Sequence, residues 1–289
     1  MAQIKPLIVI VGETASGKSA LAMELAKQFN GEIIAADSWT VYRGFDIGTA
    51  KPSIHEQAEI PHHLLDIADP LEGFSAAEFK KRATTAIEDI ADRGKLPILV
   101  GGTGLYIDSI IYDYGFLPAG PDAERRRLDA LSIDELLELI KSKSIDTSGI
   151  DLHNKRRLVR LIESNGIRPQ KSNLRPKTLI IGLSLDKDEL EERITIRVDK
   201  MLAAGLEQEV KKLAETYGWQ NEPMKGYGYR EWQAYFAGEQ TLEQTSQRII
   251  ISSLQLAKKQ RTWFKRNNSI HWLQNLQQAV PLVQNFLSK

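Results

Sequence analysis

Two hydrophobic periods share this chain of 289 residues. Short unbroken apolar runs recur at Leu7-Ile8-Val9-Ile10-Val11, at residues 32–36, at residues 96–100 and at Thr178-Leu179-Ile180-Ile181-Gly182-Leu183. Runs of this length between turn residues predict buried strands of a parallel sheet. The segments between them carry helical spacing. One helix is expected to run to about Phe29, one from the capping box Ser75-Ala76-Ala77-Glu78 to about Asp92, one from near Leu105, and a long one over residues 187–217. Strand alternating with helix predicts an α/β fold with a parallel sheet core. Between Pro118 and Pro176 strand runs vanish and amphipathic patterns such as residues 133–140 take over, and the last third also reads as helical. The expected organisation is therefore a core of residues 1–117 and 177–289 with C-terminal helices, interrupted by a helical insertion at 118–176.

Composition narrows this picture. At 42% hydrophobic residues the chain can bury one large core plus an insertion. No stretch approaches the ~18 apolar residues of a membrane span, and the first apolar run is not a signal peptide, so no membrane partner and a cytoplasmic address are expected. There is no cysteine, which excludes disulfides, thiol nucleophiles and cysteine-ligated zinc. Basic and acidic residues balance at 38 each, yet they are not evenly spread. Between Asn154 and Lys177 the only acid is Glu163 among eight Lys or Arg, and no acid follows Glu243, where Arg248, Lys258, Lys259, Arg261 and Lys265 lie. Two basic zones on a neutral protein predict a localised polyanion site. Arg156, Arg157 and Arg160, three and four apart, share one helical face, either as phosphate contacts or as a solvated stripe. Trp263, Phe264 and Trp272 interleave with the second zone, as base-stacking or as core residues.

The chemistry is concentrated where the first apolar run ends. Gly12-Glu13-Thr14-Ala15-Ser16-Gly17-Lys18-Ser19 is a G-x-x-x-x-G-K-[ST] pattern at a strand-to-helix turn, a P-loop. Its backbone N–H groups and helix N-terminus suit linked phosphates, Lys18 supplies a cation, and the Ser19 hydroxyl can ligate Mg²⁺. Asp37 closes the second strand at the edge where doubly wound folds bind ligands, and should face the phosphates unless it merely caps its loop. The turn Gly101-Gly102-Thr103-Gly104 should bring backbone amides and the Thr103 hydroxyl to the same cleft. His62 and His63 point to opposite faces of an extended segment, cannot chelate one ion, and read as structural.

These blocks, with Val41-Tyr42-Arg43-Gly44, Asp46-Ile47-Gly48-Thr49-Ala50-Lys51-Pro52, Pro61-His62-His63, Gly228-Tyr229-Arg230-Glu231, Ala257-Lys258-Lys259-Gln260 and Thr262-Trp263-Phe264, resemble the tRNA isopentenyltransferase (tRNA dimethylallyltransferase) family over almost the whole chain. The resemblance implies a P-loop NTPase-like core that moves a dimethylallyl group from dimethylallyl pyrophosphate to N6 of the adenosine 3′ of the tRNA anticodon. It implies Asp37 as proton acceptor, and Thr103 and Arg230 as stabilisers of the leaving pyrophosphate. The pyrophosphate would sit on Gly12, Thr14, Ala15, Ser16, Gly17, Lys18 and Ser19, with Mg²⁺ on Ser19. The anticodon stem-loop would meet Asp37, Ser38, Trp39, Thr40, Arg156, Arg157, Arg160, Lys258, Lys259 and Arg261. The base would be flipped into a channel between core and insertion, and the enzyme is expected to act as a monomer.

Three positions depart from the family pattern. Glu13 stands where proline is usual and, as an acid in a pyrophosphate loop, is expected to point outward; Thr40 replaces a glutamine; Ser253-Leu254 replace a Thr-Arg pair. Trp39 is expected to make up for the lost glutamine contact by stacking on a base. Three other functions stay open on the residues alone: a small-molecule kinase with Asp37 as base and ATP in the loop, a nucleotide-gated RNA-binding module, and prenylation of free adenine nucleotides.

Overall fold

Leu7–Gly12 (β1), Gly31–Ala35 (β2), His62–His63 (β3), Leu96–Gly101 (β4), Thr178–Leu183 (β5) and Ile270–Leu273 (β6) pair in parallel in the order β3-β2-β4-β1-β5-β6. In this computed structural model, which describes residues 4–118, 120–273 and 276–289, the central strand β1 is buried along its whole length. That burial explains its unbroken apolar run, since a strand covered on both faces has no polar face to present. Helix α1 (Lys18–Gln28) lays Leu21, Ala22, Leu25 and Ala26 against Ile8, Ile10 and Ile98. Each such large side chain, fully buried, contributes about 1.5–3 kcal/mol.

The helices that follow are α2 (Ile54–Glu59), α3 (Ala76–Asp92), α4 (Gly104–Ile111), α5 (Asp122–Ala130), α6 (Ile133–Ser142), α7 (Lys155–Glu163), α8 (Lys187–Ala203), α9 (Leu206–Tyr217), α10 (Gln233–Phe236), α11 (Leu242–Phe264) and α12 (Ala279–Leu287). The chain divides into two compact units, Met1–Ile111 with Leu174–Lys289, and Tyr112–Asn173. The second unit therefore begins and ends a few residues earlier than the prolines suggest. It consists of α5, α6 and α7 around Leu128, Leu136, Ile140, Leu158, Val159 and Ile162. Within it the carboxylate of Glu163 is fully buried and paired with Arg125 at 2.8 Å and Arg160 at 3.2 Å.

Several local expectations are revised. The single helix foreseen over 187–217 is two, because Gly205 turns left-handed at φ 97° and ends α8. Only half of the expected capping box forms at α3. Ser75 accepts from Glu78 N–H, but the Glu78 carboxylate goes to Arg82 at 2.7 Å instead of returning to Ser75. The segments carrying His62-His63 and residues 270–273, read as loop and helix, are short edge strands. Each completes a parallel ladder on a neighbour that already exists, so little intrinsic strand signal is needed.

Candidate active site

The P-loop is held from three sides. Between β1 and α1 the backbone passes through a left-handed Ala15 at φ 61°, a conformation that costs a non-glycine residue about 1 kcal/mol and persists only when neighbours impose it. One neighbour is α11. Its Gln260 accepts from Thr14 N–H at 2.7 Å and donates to the Gly102 carbonyl at 3.2 Å, tying the loop to the second glycine turn. The next residue, Arg261, grips the Glu13 carboxylate with two arms and donates to the Leu185 carbonyl at 3.3 Å. Gly12 packs on the Leu183 carbonyl, and residues 14–19 line a cleft of about 260 Å³.

Glu13 thus points inward, against the expectation drawn from its charge. Its side chain is 2% exposed, and Arg261 supplies the paired, two-armed partner that makes burial of the acid tolerable. The same pairing engages Arg261, one of the cations foreseen as a tRNA contact. Removing Arg261 leaves a buried carboxylate without its cation, so Arg261→Met is expected to cost about 3 kcal/mol of folding stability in urea unfolding, and Glu13→Gln less, since Arg261 is 31% exposed and can be hydrated.

Cations gather around the cleft. Lys18 donates to the Glu13 carbonyl. Burial, with help from the charge of Arg197, pushes its ammonium down to about 8, against the pull of Asp37 and Glu13. Arg197 comes from α8 and reaches the Thr14 hydroxyl at 2.9 Å and the Thr49 carbonyl at 3.4 Å; burial lowers its pKa while Asp37 raises it. Two desolvated cations that disfavour each other would both be relieved by an anion between them. The pH dependence follows with a definite sign. In the ligand-free fold Lys18 loses its proton above about pH 8, whereas in the unfolded chain it keeps it to about 10.5, so this group favours folding more as pH rises between those values. Anion binding runs the other way. Affinity for inorganic pyrophosphate should fall by up to about tenfold per unit above pH 8 in calorimetry, once corrected with Lys18→Met, whose profile reports the titration of pyrophosphate itself.

Asp37 follows β2 and lines the same cleft. Its Oδ1 accepts from Trp39 N–H at 2.8 Å and Thr40 N–H at 3.4 Å, which fixes the carboxylate on its own turn. The glycine turn after β4 approaches so closely that a Cβ on Gly101 would lie 2.0 Å from the Ala36 carbonyl. That approach lets the Thr103 hydroxyl accept from Ser38 N–H at 3.1 Å and donate to the Ser38 hydroxyl at 3.3 Å. A second cavity of about 220 Å³ opens here, lined by Ser38, Thr103, Lys259 and Trp263. Asp37, Trp39, Gly102 and Gln260 line both cavities, so Asp37 stands on the wall between a cationic phosphate cleft and an aromatic, basic recess.

Other expected residues fall as follows. Trp39 is half-buried, donates from its indole to the Pro223 carbonyl at 3.0 Å and packs on Gly226. Thr40 is buried in the cleft wall, and its hydroxyl and that of Ser16 find no protein partner among the described residues. Ser19 lies on the cleft with an exposed side chain. Arg230 is outside the cleft lining, its guanidinium over the Tyr227 ring at 4.6 Å and bonded to Glu231 at 3.0 Å. Lys259 donates to the Tyr227 hydroxyl at 2.9 Å, and Lys258 is exposed. In the second unit Arg156 and Arg157 are exposed on α7, while Arg160 is half-buried and donates to the Leu117 carbonyl and Glu163. His63 bonds the buried Glu32 at 2.7 Å. His62, read as structural, donates from Nδ1 to the Ile60 carbonyl at 2.7 Å and also lines the cleft.

Arg197 and Gln260 were not singled out in the sequence. Arg197 carries a readable signal: α8 buries Leu190, Ile194, Val198 and Met201, and a charge at 197 falls on that apolar stripe. Gln260 closes the Ala257-Lys258-Lys259-Gln260 block that carries the family resemblance, but its residue type and spacing give no sign that it anchors the loop.

A family model described as IPP transferase matches residues 40–267. A tRNA dimethylallyltransferase of Bacillus cytotoxicus is 41% identical over 93% of this chain and 90% of its own, and one of Streptococcus mutans 44% over 91% and 90%. The crystal structure of a tRNA Δ2-isopentenylpyrophosphate transferase from Staphylococcus epidermidis superposes with a TM-score of 0.74 at 38% identity, covering 98% of this chain and 99% of that one. A eukaryotic dimethylallyltransferase acting on tRNA gives 0.86 at 29% identity, over 99% and 80%. With a family model spanning most of its length and relatives above 40% identity, the chain belongs to the IPP transferase family.

Proposed function

We propose that this protein transfers the dimethylallyl group of dimethylallyl pyrophosphate to N6 of the adenosine 3′ of the anticodon in tRNA. The observation that carries the reading is the position of Asp37 on the wall shared by the two cavities. A pyrophosphate on residues 14–19 and a base in the recess of Thr103 and Trp263 would meet there. In the proposed step the N6 lone pair forms a bond to C1 of the allyl group and the C1–O bond breaks. Its electron pair leaves with pyrophosphate, and the proton of N6 passes to the Asp37 carboxylate. Lys18, Arg197 and the loop amides take up the charge growing on the leaving group.

Mg²⁺ fits the donor set. No cluster of three or more His, Cys, Asp or Glu exists among the described residues, while the accessible Ser19 hydroxyl lies beside the loop, and Mg²⁺ binds mainly through water and phosphate oxygens. When bound, it would neutralise part of the diphosphate charge. The protein would work as a monomer in the cytoplasm; no helix among the described residues is long and apolar enough to cross a membrane.

The test offers labelled dimethylallyl pyrophosphate with an anticodon stem-loop and, separately, with AMP or ADP, and labelled ATP in a third arm. Label should reach the stem-loop. Transfer only to free nucleotides, or phosphate transfer from ATP, would overturn the reading. For the second unit, the double change Arg156→Gln with Arg157→Gln should flatten the salt dependence of tRNA binding by up to ~0.9 in log–log slope per lost phosphate contact. The KM for dimethylallyl pyrophosphate should stay constant. Arg160 is left in place there because it holds Glu163 and Leu117.

A further inference from the structure

The loop that follows Phe45 is folded around a carboxylate. Three consecutive backbone N–H groups, of Asp46, Ile47 and Gly48, donate to Glu209 of α9 at 3.2, 2.8 and 3.0 Å. The buried Tyr229 hydroxyl adds a fourth donor at 2.8 Å. Successive amides converging on one point form an anion nest, and here the protein fills the nest with its own side chain. Tyr229 also fixes the loop sterically: a Cβ on Gly48 would lie 2.5 Å from its ring. The loop then passes through a left-handed Ala50 at φ 51°, a strain that needs external support. Lys51, with a nearly buried side chain, closes it by bonding Asp46, Asp66 and the Tyr42 carbonyl.

The product of this construction is the placement of one carbonyl. Thr49, between the nest and Ala50, accepts from Arg197 at 3.4 Å, and the other arm of Arg197 goes to Thr14 of the P-loop at 2.9 Å. Arg197 therefore has one anchor on the phosphate loop and one on the loop that Glu209 shapes. We infer that Glu209 is a positioning residue for the diphosphate site: by filling the amide nest of residues 46–48 it sets the Thr49 carbonyl that aims the Arg197 guanidinium at the bound diphosphate. The inference rests on the transferase reading only in its choice of ligand.

The experiment measures inorganic pyrophosphate binding by calorimetry, and KM and kcat for dimethylallyl pyrophosphate with a stem-loop. The proteins are wild type, Glu209→Gln, Arg197→Gln and the double variant. Gln keeps the shape of Glu209 but replaces one acceptor by an NH₂ that opposes the backbone donors. Glu209→Gln should weaken pyrophosphate binding by ~10- to 100-fold, the scale of a misplaced binding group, and lower kcat/KM for dimethylallyl pyrophosphate at least as much, because the guanidinium it aims also meets the charge growing on the leaving group. In the Arg197→Gln background the same change should add less than about twofold, because the two residues act through one contact. Leu213→Ala, which hollows the buried face of the same helix, controls for lost stability and should leave pyrophosphate affinity at the wild-type value. If Glu209→Gln does not fold, Tyr229→Phe removes one donor with the ring retained, and should shift the same constant in the same direction by less. An equal loss in both Arg197 backgrounds, no loss, or a loss matched by Leu213→Ala at equal Tm would overturn the inference. A wild type that binds pyrophosphate with this coupling but does not prenylate tRNA would refute the proposed reaction and leave the role of Glu209 standing.

Discussion

Asp37→Asn is expected to lower the single-turnover rate of prenyl transfer by about 10²–10⁴, the range for loss of a general base, with tRNA affinity close to wild type. The geometry makes this substitution informative. Oδ1 is held by two backbone N–H groups, and an asparagine can present its carbonyl oxygen to both, so the turn of residues 37–40 survives. What is lost is the capacity of the other oxygen to accept a proton. Rapid-quench measurement with enzyme in excess separates this step from product release. Full turnover by Asp37→Asn would remove Asp37 from the chemistry and direct attention to a water or to the leaving pyrophosphate as base.

Arg197→Gln is expected to reduce kcat/KM for dimethylallyl pyrophosphate by about 10²–10³, with inhibition by pyrophosphate weakened in parallel. A half-buried guanidinium acts through a reduced dielectric, and here its two arms are held by Thr14 and Thr49. Arg197→Lys should recover little, because a point charge cannot span Thr14 and Thr49 together. The neighbouring Lys18 provides an internal check. Arg197 is a cause of its lowered pKa, so removing the guanidinium should move the alkaline limit of pyrophosphate binding to higher pH. An unchanged limit would mean that burial alone sets the acidity of Lys18.

Much of this was present in the linear chain. Apolar runs of five or six residues announced β1, β2, β4 and β5, and the G-x-x-x-x-G-K-[ST] pattern placed a phosphate loop at the first of them, because strand burial and loop conformation are set by neighbours in sequence. Local information also located Asp37 and Thr103 at strand ends. It did not reveal β6, four residues that become a strand only because β5 offers an edge, nor the break at Gly205 within a continuous apolar stripe.

The residues missed are those whose meaning depends on a distant partner. Glu13 read alone is a charge that belongs in water; 248 positions later Arg261 provides the pairing that lets it lie inside, and in doing so is itself drawn away from the surface. Gln260 is an ordinary polar residue until the packing of α11 sets it between Thr14 and Gly102. Arg230, expected at the pyrophosphate, is directed to Tyr227 and Glu231, while the guanidinium that does enter the cleft, Arg197, comes from the core-facing side of α8. Hydrophobic period and backbone chemistry are local properties, so the linear chain was enough to read the sheet, the glycine-rich loop after β1 and the acid beside it. Which charges are buried together emerged in three dimensions alone, because desolvation and pairing are settled by groups that the chain brings within a few ångströms from hundreds of residues apart.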